Sequence, residues 1–161
     1  MAHLEPTCFE NGRPMLMAGL RERYTSETAG DIPSLWRRLV PHLGRISGQV
    51  DHVAYGVVSN MAGADGGFDY IAGVEVSHAD ALPDGFVGLS IPAHRYAVFA
   101  HVGHVSMLKE TISDIWNHWL PVSGYTTSTT PGLLERYGEG FNPSTGLGDI
   151  EVWVPVHKET R

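Results

Sequence analysis

Ile32, Trp36, Leu39 and Leu43 recur at helical spacing in ETAGDIPSLWRRLVPHLG, so this stretch turns one apolar face toward a packing partner. Asp31 stands at the N-cap position, Pro33 falls in the first turn and Gly44 marks the stop, while Pro41 kinks the helix or ends it early. Residues 15–26, MLMAGLRERYTS, predict a strand before that helix. Two strands follow it, HVAYGVVSNM and FDYIAGVEVS, joined by the Gly-rich turn AGADGG, and ADALPDGF has the turn residues of a connector. Then the order repeats. HRYAVFAHVG predicts a strand, and SMLKETISDIWNHWLPVSG a helix capped by Ser106, stopped at Pro121 and striped with Leu108, Ile112, Ile115 and Trp119. PGLLERYG and DIEVWVPV predict two closing strands.

Strand–helix–strand–strand, twice, is an α+β domain built by structural duplication, with halves at about 15–80 and 90–157 of a single domain spanning 1–161. Helices on one side of the sheets would leave a cleft between the halves on the uncovered face. In the last strand Ile150, Val152, Val154 and Val156 form an aliphatic face suited to packing under helices, with Glu151 and Trp153 on the other. By the same alternation Leu133, Glu135 and Tyr137 share one face of LLERY, expected to be the cleft face, and Leu134 the helix face. Arg136 suits that inward position badly unless it lies near the strand end.

Composition narrows the picture. The chain has 161 residues, 42% hydrophobic and 18% charged, enough for a real core. Its net charge of −7, from 11 Lys+Arg against 18 Asp+Glu, comes without the basic face that direct nucleic-acid binding needs. The single Cys8 excludes an internal disulfide and a thiolate metal cage. MAHLEPTCFENG is neither a signal peptide nor a membrane span, which makes a cytoplasmic protein with no membrane partner the expectation. The end stretches MAHLEP and HKETR are expected to fray.

Glu135 admits three readings: a solvated strand acid, a counter-charge for a lipophilic cation among aromatic faces, or a general base whose burial raises its pKa. Glu75 fits a structural role across the sheet, and Glu151 a second acid or a rim residue. Trp36 reads as core, while one of Trp116 and Trp119 can border the cleft. Tyr55 and Tyr70, on adjacent strands, can wall its first half. His94, His101, His104 and His118 lack metal-ligand spacing, with His94 and His101 on opposite strand faces, so no metal and no cofactor are expected. No GxSxG is present, and the AGADGG and STGLG stretches read as turns rather than phosphate cradles.

Six segments in order, IPSLWRRL, FDYIAGVEV, IPAHRYAVFAHVG, WNHWLPVSGY, LLERYGEGFNP and IEVWVPV, resemble the GyrI-like family over about residues 15–156. These are the effector-binding domains of some bacterial multidrug-responsive transcription regulators, also found as stand-alone proteins. The resemblance implies duplicated SHS2-type modules and a central cleft for apolar, often cationic, aromatic ligands. It places the buried anionic contact at Glu135, with Tyr137 and Trp153 lining the same pocket; Trp116, Tyr55 and Tyr70 complete the expected ligand-binding set. With no helix-turn-helix expected ahead of the domain, drug sensing or sequestration without direct DNA contact is the first expectation. Some relatives are instead hydrolases of strained cyclopropane-type natural products, which would make Glu135 catalytic. A protein-interaction module is a third reading, with gyrase or a separately encoded regulator as the partner.

Overall fold

A computed structural model describes residues 4–60, 67–128 and 131–158. Its elements run β1 (Cys8–Gly12), β2 (Met15–Tyr24), α1 (Ile32–Leu39), β3 (Gln49–Ser59), β4 (Phe68–Val76), β5 (Phe86–Ile91) and β6 (His94–His101). The second half continues with α2 (Leu108–Asp114), a π-helical turn (Ile115–Trp119), α3 (Leu120–Ser123), β7 (Tyr125–Thr127), β8 (Leu133–Tyr137) and β9 (Ile150–Lys158). The two expected strand–helix–strand–strand runs are β2-α1-β3-β4 and β6-α2-β8-β9. Strands β1, β5 and β7 are additions that the sequence pattern did not mark. Most of the Gly-rich turn between β3 and β4 lies outside the described residues.

The strands form one antiparallel sheet in the order β1-β6-β9-β8-β3-β4-β2-β5, with β7 paired to β9. Its central seam is the β3–β8 pair, one strand from each half. Both connections Arg13–Pro14 (β1 to β2) and Pro92–Ala93 (β5 to β6) cross from one end of this order to the other. Strands six places apart in a flat sheet would stand roughly 29 Å from each other. A link of two residues spans at most about 11 Å between flanking Cα atoms. The sheet therefore rolls until its ends meet at one rim.

Rolling gives each face its own core. Inside the roll, Met17, Val53, Tyr55, Val57, Ile71, Ile91, Tyr96, Val98 and Leu134 pack together from both ends of the sheet. On the outer face α1 and α2 cover Ala72, Val74, Phe99, Val152 and Val154, with Leu35, Leu39 and Ile115 almost wholly buried from the helices. Each such aliphatic side chain contributes about 1.5–3 kcal/mol of transfer free energy.

The helix ends follow their prolines, with two departures. Around Pro41 the α-geometry of α1 ends at Leu39 and tightens into a 3-10 turn over Val40–His42. Asp31 occupies the N-cap position yet makes no side-chain cap bond. In the second half His104, not Ser106, is the cap: its ring accepts the Ser106 backbone N–H at 3.1 Å. Pro121 does not stop that helix either. The π-turn over Ile115–Trp119 accommodates the missing N–H, and the helix stops at Gly124, whose φ of +77° suits glycine.

Candidate functional site

Strand β8 sets the site. Glu135 pairs with Gly56 on one side and Val152 on the other, and cross-strand partners share a face. Val152 lies beneath the helices, so Glu135, Leu133 and Tyr137 lie on the helix side with it. This reverses the expectation that Glu135 would point to the uncovered face and Leu134 to the helices; Leu134 is inside the roll. Arg136 also points into the roll, opposite Tyr55 and Glu151, rather than beneath the helices, where the expected assignment had placed it awkwardly.

Glu135 is 8% exposed and its Oε1 accepts two phenols, from Tyr70 at 2.6 Å and from Tyr137 at 2.9 Å. Tyr70 in turn accepts the Trp36 indole N–H at 2.9 Å. The Trp36 ring stands edge-on to both tyrosines, with centroids 6.5 and 5.2 Å away. Gly56 makes the approach possible: a Cβ there would run into the Tyr70 hydroxyl and the Glu135 carboxylate. Burial pushes the Glu135 carboxyl upward, while the two phenol hydrogen bonds pull it back. Burial, reinforced by the Glu135 charge, raises both Tyr70 and Tyr137 well above the ordinary phenol value, so both remain donors.

Beside this carboxylate lies a cavity of about 460 Å³. Ile32 of α1 and Ile112 of α2 face Val58, Phe68, Tyr70 and Leu133 across it, so both halves and both helices contribute. The lining is mostly apolar. Among the described residues Glu135 is its one carboxylate, and the exposed Lys109 stands at its edge. Such an arrangement can hold a large apolar body and set one anionic oxygen against it. A smaller apolar cavity of about 150 Å³ lies behind Trp36 and Tyr137, bounded by Val40, Leu43 and Phe141.

The six expected ligand contacts do not share one cleft. Glu135, Tyr70 and Tyr137 form the hydrogen-bonded cluster just described. Trp116 is on the helix side, half-buried against the core, and off the walls of the 460 Å³ cavity. Tyr55 and Trp153 lie inside the roll, because Tyr55 pairs with Arg136 and Trp153 with Leu134. There they line a different concavity, together with Glu75 and Glu151. Trp36, expected only as core, belongs to the cluster. The available signal was chemical: an indole N–H next to a packed helix face needs an acceptor.

Among the described residues no group of three His, Cys, Asp or Glu is placed to hold a metal ion. His101 is held by Thr111 at 2.7 Å and by the His104 carbonyl at 2.9 Å. No helix of the described residues is long and apolar enough to cross a membrane.

The profile of the GyrI-like small molecule binding domain matches residues 9–157. The transcriptional regulator BrlR of Pseudomonas aeruginosa is 29% identical over 147 residues, covering 90% of this chain and 53% of the regulator. The probable transcriptional regulator YgiV of Escherichia coli K12 is 30% identical over 83 residues, 50% of this chain and 52% of that protein. The chain thus spans about half the length of these relatives. Among solved structures, SAV2435 bound to tetraphenylphosphonium superposes with a TM-score of 0.71 at 18% identity, covering 93% of each chain. The integron cassette protein VCH_CASS2 of Vibrio cholerae gives 0.69 at 17% identity over 96% of this chain and 98% of the other. At those identities the likeness is one of fold.

Proposed function

The chain belongs to the GyrI-like small-molecule-binding domain family, and from that premise we propose that its helix-side cavity captures lipophilic aromatic ligands, lipophilic cations among them. One observation carries the reading: a buried carboxylate, fixed by two phenols through one oxygen, borders an apolar cavity of about 460 Å³. An ionised acid in such surroundings is poorly solvated, and a delocalised cation relieves that cost without a large desolvation penalty of its own. The faces of Tyr70 and Phe68 add attraction for a cation and packing for any aromatic ligand. That SAV2435 holds tetraphenylphosphonium supports the ligand class. The regulator relatives support a role in sensing or sequestering such compounds.

The test is direct titration with tetraphenylphosphonium and with neutral triphenylphosphine oxide, on the native protein and on Glu135→Gln. The expected result is a loss of about tenfold or more for the cation and little change for the neutral ligand. Equal losses for both would remove the counter-charge role.

A hydrolytic reading of the same cavity draws on the upward shift of Glu135, since a general base works best when its pKa nears the working pH. Against it stand the two phenols, which occupy Oε1 and weaken the carboxylate as a base by stabilising its charge. Mass spectrometry of a cyclopropane-type substrate after incubation decides. Addition of water that Glu135→Gln abolishes makes the protein an enzyme; recovery of intact ligand leaves it a binding protein.

A further inference from the structure

The interior of the rolled sheet holds a second cavity, of about 580 Å³, separated from the Glu135 cavity by the sheet itself. Its chemistry is different. Arg13, in the link between β1 and β2, grips the buried Glu75 with both terminal guanidinium nitrogens, at 2.5 and 2.9 Å. On the facing strands Arg136 reaches Glu151 at a long 3.4 Å, and the Trp153 indole N–H donates to the same Glu151 oxygen at 3.1 Å. Tyr55 and Asp51 complete that side. Against Trp153, with ring centroids 5.4 Å apart, lies Tyr96, which has no exposed surface and whose hydroxyl has no hydrogen-bond partner among the described residues.

We propose that this interior cavity is a second ligand site, for a small zwitterion of the amino-acid type carrying a planar side group. The charge layout selects that class. The two more deeply set carboxylates, Glu75 and Glu151, each already have a guanidinium beside them, while Glu10 and Asp51, which have none, are exposed at the mouth; a simple cation drawn into the depth would settle next to Arg13 or Arg136. A simple anion reaching Arg136 would meet Glu151 and Asp51 in the same wall. A molecule bearing both signs has a favourable position for each. Its carboxylate takes Arg136, which is held to Glu151 only at a long 3.4 Å, and its ammonium lies against Glu151 and Asp51. Trp153, which borders the cavity, offers an aromatic face to the planar group. The ligand chemistry is thus opposite to that of the helix side, where one acid faces apolar walls.

The experiment compares L-phenylalanine, phenethylamine and 3-phenylpropionate, which share a ring and differ only in charge. Binding to the native protein is followed by saturation-transfer NMR and by isothermal titration. Phenylalanine is expected to bind at least about tenfold more tightly than either singly charged analogue, the scale of one lost charge-assisted hydrogen bond. Saturating tetraphenylphosphonium should not displace it. Arg136→Gln and Glu151→Gln should each weaken phenylalanine by a similar factor. Equal affinities for the three probes, absence of binding, or displacement by tetraphenylphosphonium would each overturn the proposal, and none of these outcomes depends on a variant folding.

Discussion

Glu135 and Arg136 are consecutive residues of one strand and serve opposite sides of the same sheet. The first accepts two phenols beneath the helices; the second reaches Glu151 inside the roll. Strand alternation alone gives this division, and it separates a nearly apolar cavity from a heavily charged one.

Removing the Tyr70 hydroxyl should be costlier than removing that of Tyr137. Tyr70 both donates to Glu135 and accepts from Trp36, whereas Tyr137 makes only the bond to Glu135. Tyr70→Phe leaves the half-buried Trp36 N–H without its acceptor and Glu135 with a single phenol, and is expected to lower stability by about 2 kcal/mol, against about 1 kcal/mol for Tyr137→Phe. Urea denaturation of the two variants compares them. Equal effects would mean that the Trp36 bond contributes nothing.

Protons and cations compete for Glu135. Its folded-state pKa lies above the ordinary value near 4.5, so the folded protein holds its proton to higher pH than the unfolded chain. The stabilising contribution is full below that ordinary value and is lost as pH rises through the raised one. Cation binding runs the other way: affinity for tetraphenylphosphonium should climb through the same window, with a proton released on binding within it. Calorimetry in buffers of different ionisation enthalpy detects that proton. Glu135→Gln should abolish the release and flatten both profiles.

Gly56 is the steric key to the cluster. An alanine Cβ would collide with the Tyr70 hydroxyl and the Glu135 carboxylate together, two groups already bonded to each other at 2.6 Å. Gly56→Ala should cost about 1–3 kcal/mol and weaken tetraphenylphosphonium as well. Thermal unfolding and titration of the variant measure both. A variant with native stability and affinity would show that the cluster can shift intact.

Arg13→Ala isolates the inner ion pair. Glu75 would stay buried without its guanidinium, although Arg13 itself is 66% exposed on its side chain and water can reach the vacated place. The expected destabilisation is therefore about 1–2 kcal/mol rather than the 3–5 kcal/mol of a sealed pair. The double change with Glu75→Gln should recover most of the loss. A double variant no better than the single one would show that packing of Arg13, not charge, is what matters.

Helix and strand order was legible because each element carries its own period: Ile32, Trp36 and Leu39 at helical spacing, Ile150, Val152 and Val154 at strand spacing. Faces were legible only in relative terms. That Glu135 opposes Leu134 and Arg136 follows from alternation, but which side the helices take depends on pairing with Val152, a contact between strands that no local pattern encodes. The short strands β1 and β5 carry too few alternating positions to stand out; they matter because their links close the roll. The expectation of one cleft failed for the same reason, since Tyr55 and Trp153 lie across the sheet from Glu135.

The two-residue links at Arg13–Pro14 and Pro92–Ala93 have a mechanical consequence. They act as covalent clasps on the rim of the roll, each containing a proline that stiffens it. The inner chamber can dilate only if the backbone hydrogen bonds of the sheet stretch. On the other side the helices rest on the sheet through side chains, and their displacement breaks no strand pairing. One floor thus serves a stiff socket and a compliant one: the first should discriminate ligands by shape, the second should tolerate a range of sizes.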